Sequence, residues 1–236
     1  MTNPNMDVML SSKKQDWGTP PELLKQWEQD HSFYTVLDPC ASPDNPLKAD
    51  IFYTKWEDGL ERGWYIINHE HRTMKTIGKE DIIIDPAVFV NPGYGVEYRL
   101  MIPDDQWGDL SSLDKFILYG LDLNWTSKQI SNVRLIEQKQ VSQRIKHLCG
   151  MGYARKQGCG DWVRKAVIEH SRHGSTIVML LPYKAPAWYH DYVKPYLDAV
   201  DDPMRHYFPL RGRIKFTGAT QGAPFDSCLF ILREEW

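Results

Sequence analysis

The sequence predicts an α/β fold, and three observations carry that expectation. Thr176-Ile177-Val178-Met179-Leu180-Leu181 is an unbroken apolar run of strand length, the pattern of a strand buried on both faces. Val36-Leu37 and Val88-Phe89-Val90 are shorter apolar runs, each ending in a polar turn, Asp38-Pro39-Cys40 and Asn91-Pro92. Stretches with helical periodicity stand between such runs, and this alternation places helices on the faces of a sheet. Ligands of such sheets bind at the carboxyl ends of strands, where both polar turns lie.

In chain order, residues 1–15 are polar and read as a disordered tail. Pro20-Pro21 opens a helix with apolar Leu23, Leu24 and Trp27, because proline is tolerated in a first turn. Residues 61–86 hold Trp64-Tyr65-Ile66-Ile67 and Ile82-Ile83-Ile84 around a charged centre, which predicts a hairpin-like insertion. His69-Glu70-His71 inside it lacks a third metal ligand and reads as a solvated loop. Asp161–His173 is helical through Trp162, Val163, Ala166, Val167 and His170, and Gly174 ends it. A further helix carries Trp188, Tyr189, Tyr192 and Val193, and Cys228–Leu232 is the last strand.

Residues 110–157 interrupt this alternation. Leu113, Phe116, Ile117 and Leu121 mark one helix, and Thr126-Ser127-Lys128-Gln129 is a capping box opening a second, with Ile130 and Val133 inside it. Val141, Ile145 and Leu148 share one face of a third. Gly150-Met151-Gly152-Tyr153 then turns into a short basic strand with Arg155 and Lys156. Three helices and a basic wing suggest a winged helix-turn-helix that reads DNA; the competing reading is a helical insertion that only packs. Residues 16–109 and 158–236 form the main domain.

Composition is that of an ordinary soluble protein, 42% hydrophobic and 25% charged over 236 residues. A net charge of −3 gives no global signal for nucleic acid, so a DNA-binding surface requires local segregation of charge. Cys40, Cys149, Cys159 and Cys228 lack C-x-x-C spacing, and no signal peptide or long apolar run is present, so they read as reduced thiols of a cytoplasmic protein without a metal or a membrane partner.

Asn91-Pro92-Gly93-Tyr94 carries the chemistry. The exocyclic amine of adenine is a poor nucleophile because its lone pair is delocalised into the ring. An asparagine oxygen and the next residue's carbonyl can accept its two hydrogens and favour a pyramidal nitrogen. An aromatic ring at the fourth position can stack on a base swung out of a helix. Taken alone, the tetrapeptide is better read as a turn.

Its company changes that reading. Trp17-Gly18-Thr19-Pro20, Leu37-Asp38-Pro39-Cys40-Ala41, Phe52-Tyr53-Thr54 with Glu57-Asp58-Gly59-Leu60, and the Asn-Pro-x-Tyr-Gly turn occur in this order. Leu180-Leu181-Pro182, Arg211-Gly212-Arg213-Ile214-Lys215-Phe216 and Ala223-Pro224-Phe225 follow. On these pieces the chain resembles the phage-type Dam DNA adenine methyltransferases, over most of its length except about 20 residues before the turn and about 50 after it.

The resemblance implies a Rossmann-like methyltransferase sheet, S-adenosylmethionine as cofactor and double-stranded DNA as partner. It implies catalytic roles for Asn91, Pro92 and Tyr94. Trp17, Thr19, Pro20, Asp38, Cys40, Ala41 and Asp58 fall on the cofactor side, although the usual glycine-rich first motif is absent. For Asp58, a turn aspartate beside Gly59 is an equal reading. Gly93 stands where the family turn usually has proline, which loosens the loop.

On the DNA side, Gln138, Gln143 and Arg144 are expected at base edges. Lys139, Lys146, Arg155 and Lys156 are expected at phosphates. Arg211, Arg213 and Lys215 alternate as on one face of a strand, suited to phosphates near the flipped base or to a solvated strand edge. A regulator on a decayed methyltransferase shell, or a methyltransferase for RNA or protein glutamine, are the alternatives.

Overall fold

A computed structural model of the chain describes residues 18–54, 56–64, 73–77, 80–92, 97–123, 125–183 and 187–234, without the side chains of 73–77, 80–83, 97 and 104. The chain divides into two compact units, one of residues up to Gly95 and from Cys159 onward, the other Val96–Gly158.

The larger unit is α/β. Its first helix, α1 (Pro21–Asp30), starts directly after the extended Pro20 and buries Leu24 and Trp27. The strands are β1 (Phe33–Asp38), β2 (Ile51–Phe52), β3 (Thr73–Ile77), β4 (Glu80–Val90), β7 (Thr176–Pro182), β8 (Tyr207–Pro209) and β9 (Ser227–Leu232). Six of them lie side by side in the order β2-β1-β4-β7-β9-β8, and β3 pairs with the first half of β4. β2, β1, β4 and β7 are mutually parallel, while β9 runs antiparallel to both of its neighbours. This mixed, mostly parallel sheet is compatible with a Rossmann-like fold.

β4 has two jobs that its sequence does not separate. Residues Glu80–Ile84 form an antiparallel hairpin with β3, in the register Ile77↔Glu80 to Thr73↔Ile84. From Asp85 onward the same strand runs between β1 and β7 at the centre of the sheet. The hairpin expected over 61–86 is present, with Thr73–Ile77 as its described first arm rather than the apolar run 64–67, and its second arm continues into the core. Trp64 is a buried core residue, and Tyr65, Ile66 and Ile67 lie outside the described residues. His69, Glu70 and His71 lie outside the described residues.

Alternation along the strands divides the core between the two faces. Val88, Val90, Ile177, Met179 and Leu181 face Val163 and Ala166 of α5 (Cys159–His173) and Val193 and Leu197, which span a π-helical turn and α6 (Lys194–Ala199). Ala87, Phe89, Val178 and Leu180 face Leu24 and Trp27 of α1, with Ile214 and Phe216 completing that layer. Every residue of β7 except its terminal Pro182 is buried, as the apolar run requires.

The smaller unit holds β5 (Glu97–Leu100), α2 (Ser112–Asp122), α3 (Ser127–Arg134), α4 (Gln138–Gly150) and β6 (Ala154–Gln157). The capping box is formed: the Thr126 hydroxyl accepts from the Gln129 N–H, and the Gln129 side chain accepts from the Thr126 N–H. Val141, Ile145 and Leu148 of α4 pack with Ile117, Leu118 and Leu121 of α2 and with Ile130 of α3.

Two features depart from the expected boundaries. The basic strand β6 pairs with β5, which precedes the helices, in the register Glu97↔Gln157 to Leu100↔Ala154. The module therefore opens near residue 96 rather than 110. Its sheet ties its two ends together instead of forming a hairpin wing after the third helix.

Candidate functional site

The site lies where the sheet changes direction. From β1 the chain moves to β2 on one side, then crosses to β4 on the other, so the carboxyl ends of β1 and β4 are adjacent at a topological switch point. Asp38 ends β1, and Asn91 follows β4 directly. Sequence reading put both at strand ends, and the topology makes those ends neighbours.

Asn91 is oriented by the segment that precedes α1. Its Nδ2 donates to Thr19 Oγ1 at 3.0 Å, and Thr19 is almost fully buried. With its nitrogen turned toward Thr19, the carboxamide directs its oxygen the other way. Thr19 is in turn fixed through its neighbour: the Thr217 N–H donates to the Gly18 carbonyl at 2.8 Å. Pro92 is buried. Gly93, Tyr94 and Trp17 lie outside the described residues.

Asp38 is a buried carboxylate. Its Oδ1 accepts from the Cys40 N–H at 2.9 Å, closing a tight turn that also holds the half-buried Cys40 and buried Ala41. Burial pushes the Asp38 carboxyl up to about 7, against a downward pull from the Cys40 N–H. Near neutrality it exists in both protonation states. It can therefore donate or accept, and a cation or hydroxyl donor docked against it would pull it toward the charged form.

The segment after β2 packs on this turn. Tyr53 N–H donates to the Asp38 carbonyl at 2.9 Å, and Ala41 N–H donates back to the Tyr53 carbonyl at 3.0 Å. Thr54 is buried, and both its hydroxyl and its N–H donate to the Glu57 carboxylate, which these bonds hold below the usual carboxylate range. Asp58 takes a left-handed backbone, φ 52°, and its Oδ1 accepts from the Leu60 N–H at 3.0 Å. Gly59 is required here, because a Cβ at that position would sit 2.0 Å from the Pro39 carbonyl oxygen. That close approach brings the loop carrying Asp58 against the turn that carries Asp38.

A second tie anchors the loop from behind. Trp64 is fully buried; its Nε1 donates to the Gly59 carbonyl at 2.7 Å, and its backbone N–H donates to Glu169 at 3.0 Å. The Trp64 ring stacks on Trp162 with centroids 5.9 Å apart. Glu169, on the buried side of α5, also accepts from Lys165 at 2.5 Å. Burial alone would raise its pKa, but the Lys165 and Trp64 bonds overcome this and lower it. Sequence reading missed Glu169; its signal is an acid three residues after Ala166 on the apolar stripe of α5, with Lys165 four residues before it.

The expected DNA-side residues divide. On α4, Lys139, Gln143 and Lys146 form an exposed stripe at helical spacing, opposite Val141, Ile145 and Leu148, and Gln138 is exposed at its start. Arg155 and Lys156 are exposed on β6. Arg144 does something else: its Nε and Nη2 donate to the carboxylate of Asp114 on α2, the latter at 2.6 Å. Asp114 is buried and is held below the usual carboxylate range chiefly by that bond. Arg144 thus joins two helices of its own unit.

Arg211, Arg213 and Lys215 do not lie on a strand. Gly212 takes φ +80° and breaks the segment, so Arg211 is separated from the other two. From Arg213 to Phe216 the chain alternates outward and inward, with Ile214 and Phe216 buried and Arg213 and Lys215 exposed, yet it joins no ladder. Ile214 accepts instead from the Ala223 N–H at 2.7 Å. The two exposed cations lead directly into Thr217, which holds Gly18 beside Thr19.

No protein-family model, no curated protein and no solved structure matches this chain. Among the described residues no helix is long and apolar enough to cross a membrane.

Proposed function

We propose that the chain transfers a methyl group from S-adenosylmethionine to the exocyclic amine of adenine in double-stranded DNA. The observation that carries this reading is the adjacency of Asn91-Pro92 and Asp38 at the switch point, with the Asn91 amide oriented by Thr19. The residues present suit the cofactor: a buried carboxylate at the end of β1, a turn of small residues beside it, and a second carboxylate, Asp58, on the loop packed against that turn. Asp38, Cys40 and Ala41 would hold it together with Asp58. When bound, S-adenosylmethionine supplies a methyl group activated by a positively charged sulfur.

The chain's own contribution is to the nucleophile. The Asn91 oxygen and the Pro92 carbonyl accept the two amine hydrogens and hold the lone pair out of the ring plane. Arg213 and Lys215 supply cations for the DNA backbone on the segment that secures Gly18.

Charge segregation supports DNA as the partner. From Trp125 to Gly158 there are seven lysines and arginines against one glutamate, in a chain whose net charge is −3. The eight-residue α3, the turn at 135–137 and the thirteen-residue α4 have the proportions of a helix-turn-helix, with Lys139, Gln143 and Lys146 on the outward face of its second helix.

The test is incubation of the purified chain with tritiated S-adenosylmethionine and unmethylated plasmid DNA. Label recovered as N6-methyladenine supports the reading. Absence of transfer, together with no cofactor binding by calorimetry, overturns it.

A further inference from the structure

Leu135 stands at the corner between α3 and α4 with 93% of its surface exposed. Its backbone is left-handed, φ 53° and ψ 39°, the conformation for which glycine or asparagine is favoured at a helix end. Both features work against stability: the Cβ crowds the following carbonyl oxygen in this backbone, and an exposed isobutyl group returns no burial. The corner is nonetheless tightly held. The N–H groups of Leu135 and Ile136 both donate to the Ser131 carbonyl, the latter at 3.1 Å, and the Ser131 hydroxyl donates back to the Ile136 carbonyl. The fold thus fixes an apolar side chain in water at a position where glycine would serve it better.

The surroundings identify what this side chain meets. Lys128, Arg134 and Lys139 are exposed within seven residues of it, and Glu137 is the only acid between Trp125 and Gly158. An acidic polymer with an apolar interior matches that combination, and duplex DNA is such a polymer. We infer that Leu135 is an apolar wedge that enters the DNA base stack, while Lys128 and Lys139 hold the flanking phosphates. This rests on the reading of Val96–Gly158 as a DNA-binding unit.

An apolar wedge unstacks and untwists the step it enters, so the full-length protein should change the linking number of closed circular plasmid relaxed by a topoisomerase in its presence. Leu135→Gly should reduce that change several-fold and keep retention of the plasmid on a filter, with a melting temperature equal to or above wild type because the strain is relieved. Leu135→Asn, which also accepts left-handed backbone, is the second variant and should behave alike. A Gly or Asn variant that still shifts the linking number as wild type does overturns the wedge. So does wild-type protein that binds plasmid without shifting it, or a variant that leaves DNA behaviour unchanged and instead loses self-association in sedimentation. Wild-type protein that does not bind plasmid at all refutes the DNA-binding reading itself, and the wedge with it.

Discussion

Asn91 and Thr19 are 72 positions apart in the chain, and their side chains meet in a 3.0 Å hydrogen bond at the carboxyl end of the central strand β4. The bond fixes which way the Asn91 carboxamide presents its oxygen, and it makes the segment before α1 part of the site. Positioning of this kind matters because attack geometry is sensitive at about the 1 Å level.

Two substitutions separate the roles of that pair. Asn91→Ala should lower turnover about 10²–10³-fold, by analogy with loss of one hydrogen-bonding group that stabilises a transition state, and leave cofactor binding by calorimetry largely intact. Thr19→Val should lower kcat with a smaller change in KM, and Thr19→Ser, which keeps the acceptor, should restore it. Equal loss in the Val and Ser variants would show that Thr19 acts through its methyl group or its burial instead.

Asp38 should make stability depend on pH. Its folded pKa of about 7 lies above the unfolded value, so its contribution is fully present below about pH 4 and is lost as pH rises through 7. That gap corresponds to up to about 4 kcal/mol. Asp38→Asn, which keeps the acceptor for the Cys40 N–H, should therefore gain on wild type progressively from about pH 4 to about pH 7 and level off above that in urea unfolding, while binding the cofactor less well. Parallel stability curves for the two proteins would refute the raised pKa.

Glu169→Ala should destabilise the larger unit by about 1–3 kcal/mol, because the Trp64 N–H is left buried without its acceptor. The effect should extend to the loop bearing Asp58, since Trp64 also bonds Gly59. Weaker cofactor binding alongside the loss of stability is the expected signature. A stable variant with unchanged binding would mean the loop is held from elsewhere.

Arg144 and the α4 stripe should behave differently. Arg144→Ala leaves the buried Asp114 carboxylate without its main partner and should cost about 1–3 kcal/mol in thermal unfolding. Lys139→Ala with Lys146→Ala should leave the melting temperature nearly unchanged. The pair should also flatten the salt dependence of DNA binding by about 0.9 for each phosphate that is no longer neutralised. If Arg144→Ala melts like wild type and alters sequence preference, its place is at the bases after all.

The sequence by itself determined the main helices and the buried strands. Thr176–Leu181 is a strand buried on both faces, as its short, unbroken apolar run in an alternating chain predicts. The Thr126 capping box and the Val141, Ile145, Leu148 face are local facts of spacing, and both appear where spacing puts them. Asp38 and Asn91 were legible at strand ends for the same reason. Tertiary structure decided what local patterns cannot encode. It made those two strand ends neighbours through the β2-β1-β4 order, gave Asn91 its partner in Thr19, and joined β5 to β6 across the intervening helices. It also gave Arg144 a partner in Asp114 on another helix, a pairing 30 positions apart that no local pattern encodes. The left-handed φ at Gly212 separates Arg211 from Arg213 and Lys215, and Ile214 and Phe216 are buried in the core layer beneath the sheet. Periodicity follows from the backbone and is written locally, whereas partners far apart in the chain are chosen only when the whole chain packs.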